Sequence, residues 1–128
     1  MKNSIKIAIS LGLILFVVII GESCKKKNDF THPYNSARAK MAPVESAIDT
    51  YKLNTGKLPS KLEDLVVCPP GLNGWAGPYL KTSQLYDPWD RPFTYEPNTH
   101  DPNNYIIKSY GTDGKPGGKG YDADIYNN

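Results

Sequence analysis

One apolar run, residues 7–20, stands ahead of everything else in this chain and takes a large share of its hydrophobic side chains. It passes from Ile7 through Leu11, Leu15 and Val18 to Ile20. Hydrophobic residues make up 39% of the 128 positions, so a segment of about 95 residues is left with a thin apolar supply and can bury only a modest core. The length allows one domain. A domain this small gains from a staple, and a bound metal ion is one candidate.

The run is short of the roughly 20 apolar residues that a spanning helix needs. Lys2 and Lys6 precede it and Lys25, Lys26 and Lys27 follow it, the pattern of a basic n-region and an apolar h-region. Residues 1–24 therefore read as a signal peptide or a membrane anchor. Cys24 follows Ser23 just after the run, which suits lipidation of its thiol, although Gly21 and Glu22 are unusual three and two residues ahead of it. The alternative is an uncleaved anchor with Cys24 as an incidental thiol. Either way the domain lies in the cell envelope, in the periplasm or outside the cell, tethered to a membrane through its N-terminus. With those five lysines set aside, 10 basic residues face 13 acidic ones, and no basic stripe marks a nucleic-acid partner. Two cysteines, Cys24 and Cys68, are too few for a disulfide framework.

Residues 25–35 read as a polar linker and 36–128 as the globular domain. Ser36 is the expected N-cap of a helix from Ala37 to about Asn54. Met41, Val44, Ile48, Tyr51 and the stem of Lys52 fall on one side of it, with Ala37 and Ala47 nearby. Pro43 either kinks this helix or starts its regular part. Gly56 is expected as a left-handed cap. Ser60 and Glu63 have capping-box spacing at the start of a short helix that runs on through Leu65. Residues 68–92 are rich in Pro and Gly and read as a long ordered loop anchored by Trp75, Tyr79, Leu80, Leu85 and Trp89. Residues 92–96 and 105–110 read as strands, 99–104 as their hairpin loop, and 123–126 as a short strand-like end. The fold class is α+β, one helix laid on a small antiparallel sheet.

Within residues 110–125, Asp113, Asp122 and Asp124 bracket four glycines. Calcium takes six to eight hard oxygen ligands, more than side chains alone usually supply. Glycines let such a loop turn backbone carbonyls inward. Asp122 and Asp124 share a side if the chain is extended there, and Asp113 closes the ring from the other end. The plain alternative is a flexible turn with solvated aspartates. The ligand spacing of an EF-hand is absent.

Catalysis has little support. His32 and His100 are far apart and read as exposed loop residues, and no nucleophile elbow or phosphate loop occurs. Cys68, before Pro69 and Pro70, reads as a half-buried thiol. Glu45 and Asp49 are spaced for a helix face, where a solvated surface is the simpler reading than an acid–base pair. The chain is read as a non-enzyme with no small-molecule substrate.

Four segments then form an ordered series: Glu45-Ser46-Ala47-Ile48-Asp49-Thr50-Tyr51 with its continuation to Pro59; Gly74-Trp75-Ala76-Gly77-Pro78-Tyr79-Leu80; Asp87-Pro88-Trp89-Asp90-Arg91-Pro92; and Ser109-Tyr110-Gly111-Thr112-Asp113-Gly114 with Asp122-Ala123-Asp124-Ile125. Together, over residues 37–126, they resemble the major pseudopilins of type II secretion systems, the protein G of the general secretion pathway. The resemblance implies a pilin-like N-terminal helix packed on a small antiparallel sheet, with a C-terminal calcium-binding loop. It implies one calcium ion held by Asp113, Asp122, Asp124 and the backbone carbonyl of Tyr110. It also implies partners among other pseudopilin-like subunits or secretion-apparatus proteins. The N-terminus departs from the pattern. Pseudopilins carry a short leader ending in Gly, then Phe-Thr-Leu-x-Glu, then an apolar helix; here the apolar run comes first and Asp29-Phe30-Thr31-His32-Pro33 only echoes that motif. Two functions follow: a structural component of a secretion apparatus, or a lipid-tethered binding module that reuses the domain without forming a filament.

Overall fold

The computed structural model describes residues 33–128. The apolar run, Cys24, His32 and the linker up to residue 32 lie outside the described residues. Among the described residues no helix is long and apolar enough to cross a membrane.

Helix α1 spans Pro33–Thr55, 23 residues and about 35 Å of rise. It differs from the expected start: Pro33, Tyr34 and Asn35 are already helical, so Ser36 lies inside the helix and is not its N-cap. Proline fits the first turn of a helix, where its missing N–H has no partner to lose. Pro43 sits within the helix, and regular helix continues on both sides of it. Its absent N–H frees the carbonyl of Ala39, an exposed residue where water can take the bond. The helix stops as expected at Gly56, whose φ of 77° lets its N–H return to the Lys52 carbonyl at 2.8 Å.

The buried residues of α1 are Ala37, Met41, Val44, Ala47, Ile48 and Tyr51. Steps of three and four residues put them on one stripe. That stripe packs against Leu62, Leu65, Leu80, Leu85, Phe93, Ile107 and Ile125. The small Ala37 and Ala47 let the helix approach these neighbours closely. Burial of each large aliphatic side chain contributes roughly 1.5–3 kcal/mol.

After α1 comes a 3-10 turn at Leu62–Leu65. Its start is secured by Asp64, not Glu63: the Asp64 carboxylate accepts the N–H groups of Ser60 at 2.9 Å and Lys61 at 3.2 Å. Asp64 is buried whereas Glu63 faces solvent. The long loop is ordered by its aromatic residues. Trp75 donates its indole N–H to the Asp64 carbonyl at 2.9 Å, and Tyr79 lies edge-on to both Trp75 and Tyr51. The Tyr79 hydroxyl accepts from Asn54 on α1 and from the Ala76 N–H. A second 3-10 turn, Thr82–Leu85, follows, and Tyr86 then bridges to Pro92. Cys68 is exposed, not half-buried, because the chain leaves the core after Leu65 and carries Val67 and Cys68 outward.

The sheet has three antiparallel strands in the order β1-β2-β3. Strand β1 is Thr94–Pro97, β2 is Tyr105–Ser109 and β3 is Ile125–Tyr126. Thr94 pairs with Lys108 and Pro97 with Tyr105 across the hairpin, and Ser109 pairs with Ile125 on the other side of β2. Ile107 and Ile125 point into the core under α1. This is the expected helix-on-sheet arrangement, with each strand within two residues of its expected limits.

Candidate functional site

The segment between β2 and β3 carries all four candidate ligand residues. It is a closed loop. Both the N–H and the hydroxyl of Thr112 donate to the Tyr121 carbonyl, at 3.0 and 2.9 Å. The two ends are therefore held side by side just above the sheet. Gly111 and Gly118 lie so near the Asp122 backbone that a Cβ on either would overlap its carbonyl. Both have φ in the left-handed region, 61° and 86°, so a side chain is excluded there twice over.

Within the loop, the Tyr110 carbonyl accepts the Gly114 N–H at 3.1 Å. The Asp113 carboxylate accepts the Lys115 N–H at 3.0 Å and is exposed. The Asp124 carboxylate reaches back across the loop to the Gly117 N–H at 3.1 Å and takes the Tyr126 hydroxyl at 3.3 Å. Asp122 ends a short 3-10 turn, Gly120–Asp122, and is exposed. The loop thus brings Asp113, Asp122, Asp124 and the Tyr110 carbonyl into one segment. Among the described residues, however, no three His, Cys, Asp or Glu side chains are gathered closely enough to hold a metal ion between them. By residue type the set is three carboxylates and one carbonyl, the kind of hard oxygen donor that a divalent cation takes, in a loop where Gly111 and Gly118 leave no room for a side chain.

Beneath the loop lies a polar cluster that the sequence pattern alone did not single out. Asp87 is 1% exposed. Its Oδ1 accepts the N–H groups of Trp89 and Arg91, each at 2.9 Å, and its Oδ2 accepts the Ser109 hydroxyl at 2.8 Å. Its carbonyl takes a hydrogen bond from Lys40 on α1 at 3.1 Å. The tight turn from Asp87 to Arg91, with Asp90 at a φ of 59°, aims the Arg91 side chain at the loop. There the guanidinium donates to the Gly111 and Thr112 carbonyls, while its Nε lies 3.6 Å from Asp87 Oδ2 and its plane covers Trp89. The local signal was a turn sequence in which Pro88 follows an aspartate, a residue able to accept N–H bonds from the next few positions.

The other chemistry-bearing residues stay apart. His100 is an exposed loop residue, Glu45 pairs with Arg38 at 2.9 Å, and Asp49 faces solvent.

A family model described as type II secretion system (T2SS), protein G, matches residues 27–128. The chain is 44% identical over 91 residues to the type II secretion system core protein G of Xanthomonas campestris pv. campestris, a match that takes in 71% of this chain and 63% of that protein. It is 38% identical over 99 residues to the core protein G of Pseudomonas aeruginosa, covering 71% of this chain and 68% of that one. The chain thus spans somewhat under two thirds of the length of the Xanthomonas relative. In structure it is similar to the major pseudopilin from the type 2 secretion system of enterohaemorrhagic Escherichia coli. The TM-score is 0.59 at 23% identity, over 78% of this chain and 90% of that one, a likeness of fold.

Proposed function

Because this chain belongs to the type II secretion system protein G family, we propose that it is a pseudopilin-like structural subunit of such an apparatus, with no catalysis of its own. One observation carries this reading: the family match runs from residue 27 to residue 128 and so takes in the whole described domain. Its partners are then other pseudopilin-like subunits or neighbouring components of the apparatus, and its place is the cell envelope.

In this reading the C-terminal loop binds one calcium ion through the carboxylates of Asp113, Asp122 and Asp124 and the carbonyl of Tyr110. The support is the donor chemistry and the closed, glycine-lined loop. The ion would supply a fixed positive charge that ties the two ends of the loop, and hence β2 and β3, together.

Crosslinking the full chain in cells tests the structural role. A ladder of regular multiples is expected. A single adduct with one unrelated protein would overturn the subunit reading in favour of a tethered binding module.

A further inference from the structure

Asn73 and Gly74 form the one asparagine–glycine pair in the sequence, and the long loop exposes both to solvent. The carbonyl carbon of an asparagine side chain lies within reach of the next main-chain nitrogen. Attack by that nitrogen is easiest when the next residue is glycine, because no side chain hinders it. Here both groups are unengaged: neither the Asn73 carboxamide nor the Gly74 N–H has a hydrogen-bond partner among the described residues.

The other positions open to the same reaction are held. Asn98 accepts the His100 and Asp101 N–H groups through its side-chain oxygen, and Asn127 accepts the Ile107 N–H at 2.8 Å. Asn54 donates to the Tyr79 hydroxyl and is followed by the β-branched Thr55. Asp113 precedes Gly114, but the Gly114 N–H is committed to the Tyr110 carbonyl at 3.1 Å.

The pair also sits at a sensitive place. Gly74 has a φ of 81°, and a Cβ on it would lie 2.3 Å from the Asn54 carbonyl oxygen. The loop therefore packs directly on the last turn of α1, just ahead of Trp75 and Tyr79, which anchor it. The unpaired carbonyls of a last turn form the negative end of the helix dipole, and an anion beside them is unfavourable.

We infer that Asn73 is a self-modifying site whose conversion loosens the long loop from the C-terminal end of α1. The Gly74 nitrogen bonds to the Asn73 side-chain carbonyl carbon. The bond from that carbon to the amide nitrogen breaks, and the nitrogen leaves as ammonia with the proton that Gly74 gives up. Water then opens the resulting cyclic imide at either carbonyl, with no oxidation or reduction. The products are aspartate and isoaspartate. Each places a carboxylate next to the negative end of α1, and isoaspartate also lengthens the main chain by a methylene beside the close contact with Asn54.

The purified full chain, incubated in mildly alkaline water enriched in heavy oxygen, provides the check. Peptide mapping by mass spectrometry then follows each asparagine, with fragmentation that separates aspartate from isoaspartate. Residue 73 should be the first asparagine converted, with heavy oxygen in its new carboxylate, and Asn73→Gln should stay unconverted there. Conversion at Asn73 no faster than at Asn98 or Asn127 would overturn the site. Asn73→Asp carries the charge without the added methylene. It should melt a few degrees below the parent, whereas Asn73→Gln should melt with it. Equal melting of all three would overturn the loosening of the loop by charge.

Discussion

Ser109 donates its hydroxyl to Asp87 at 2.8 Å across 22 residues of sequence, and both side chains are buried. This bond joins the tight turn after the long loop to the end of β2, where the glycine-rich loop begins. The same carboxylate accepts two backbone N–H groups and faces Arg91. A buried carboxylate is tolerated only when its lone pairs are used in this way.

Replacing Asp87 should therefore be among the more damaging changes. Asp87→Ala strands the Trp89 and Arg91 N–H groups and the Ser109 hydroxyl, and a loss of about 3 kcal/mol is expected. Ser109→Ala removes one donor and should cost about 1–2 kcal/mol. Urea denaturation of both variants provides the check. Asp87→Ala within about 0.5 kcal/mol of the parent would mean that the cluster contributes little to stability.

The helix was legible because its buried stripe follows one period, and the hairpin because two β-branched and aromatic runs flank a polar turn. The cap at Gly56 was legible because its cause is local. Pro33 was not, since proline ends a helix when it comes late and suits one when it comes first. The choice of Asp64 over Glu63 depends on which side of the 3-10 turn meets the core, and spacing does not reveal that. In the candidate loop, Asp113, Asp122 and Asp124 are neighbours in sequence and could be named. Arg91 could not, because the carbonyls it holds lie 20 and 21 residues away. Only the folded sheet brings them together.

The orientation of α1 can be tested by two leucine-sized side chains five residues apart. Ile48 is fully buried, whereas Leu53 is 84% exposed. Ile48→Ala should destabilise the domain by about 2–5 kcal/mol. Leu53→Ala should change stability by no more than about 0.5 kcal/mol. Comparable losses in thermal or urea unfolding would contradict the stripe assigned to this helix.

The calcium reading predicts a stability gain that depends on the ion. At a free concentration about 100 times the dissociation constant, binding adds about 2.7 kcal/mol. Asp113→Asn and Asp124→Asn keep an oxygen that can accept the Lys115 and Gly117 N–H groups, so both should melt close to the parent in chelator. In calcium both should lose most of the gain. Scanning calorimetry in the two buffers separates the outcomes, and identical melting of the parent in both would refute the calcium site.

Alkaline pH should weaken the fold through its half-buried tyrosines. Burial is the main cause that pushes the Tyr105 phenol up from 10.0 to about 12, with the Asp49 and Glu45 carboxylates adding to it. Burial, then the neighbouring Tyr105, raises Tyr95 further, and its hydroxyl donates to the Pro59 carbonyl at 3.0 Å. A group whose folded pKa is raised contributes its full stability below the unfolded value. That contribution is lost as pH rises through the folded value, because the unfolded chain ionises first. For Tyr105 the window is pH 10 to 12. Melting temperature and tyrosinate absorbance, followed across that window, should show the parent losing stability more steeply than Tyr105→Phe. An equally steep fall in Tyr105→Phe would show that the Tyr105 phenol is not what opposes folding at high pH.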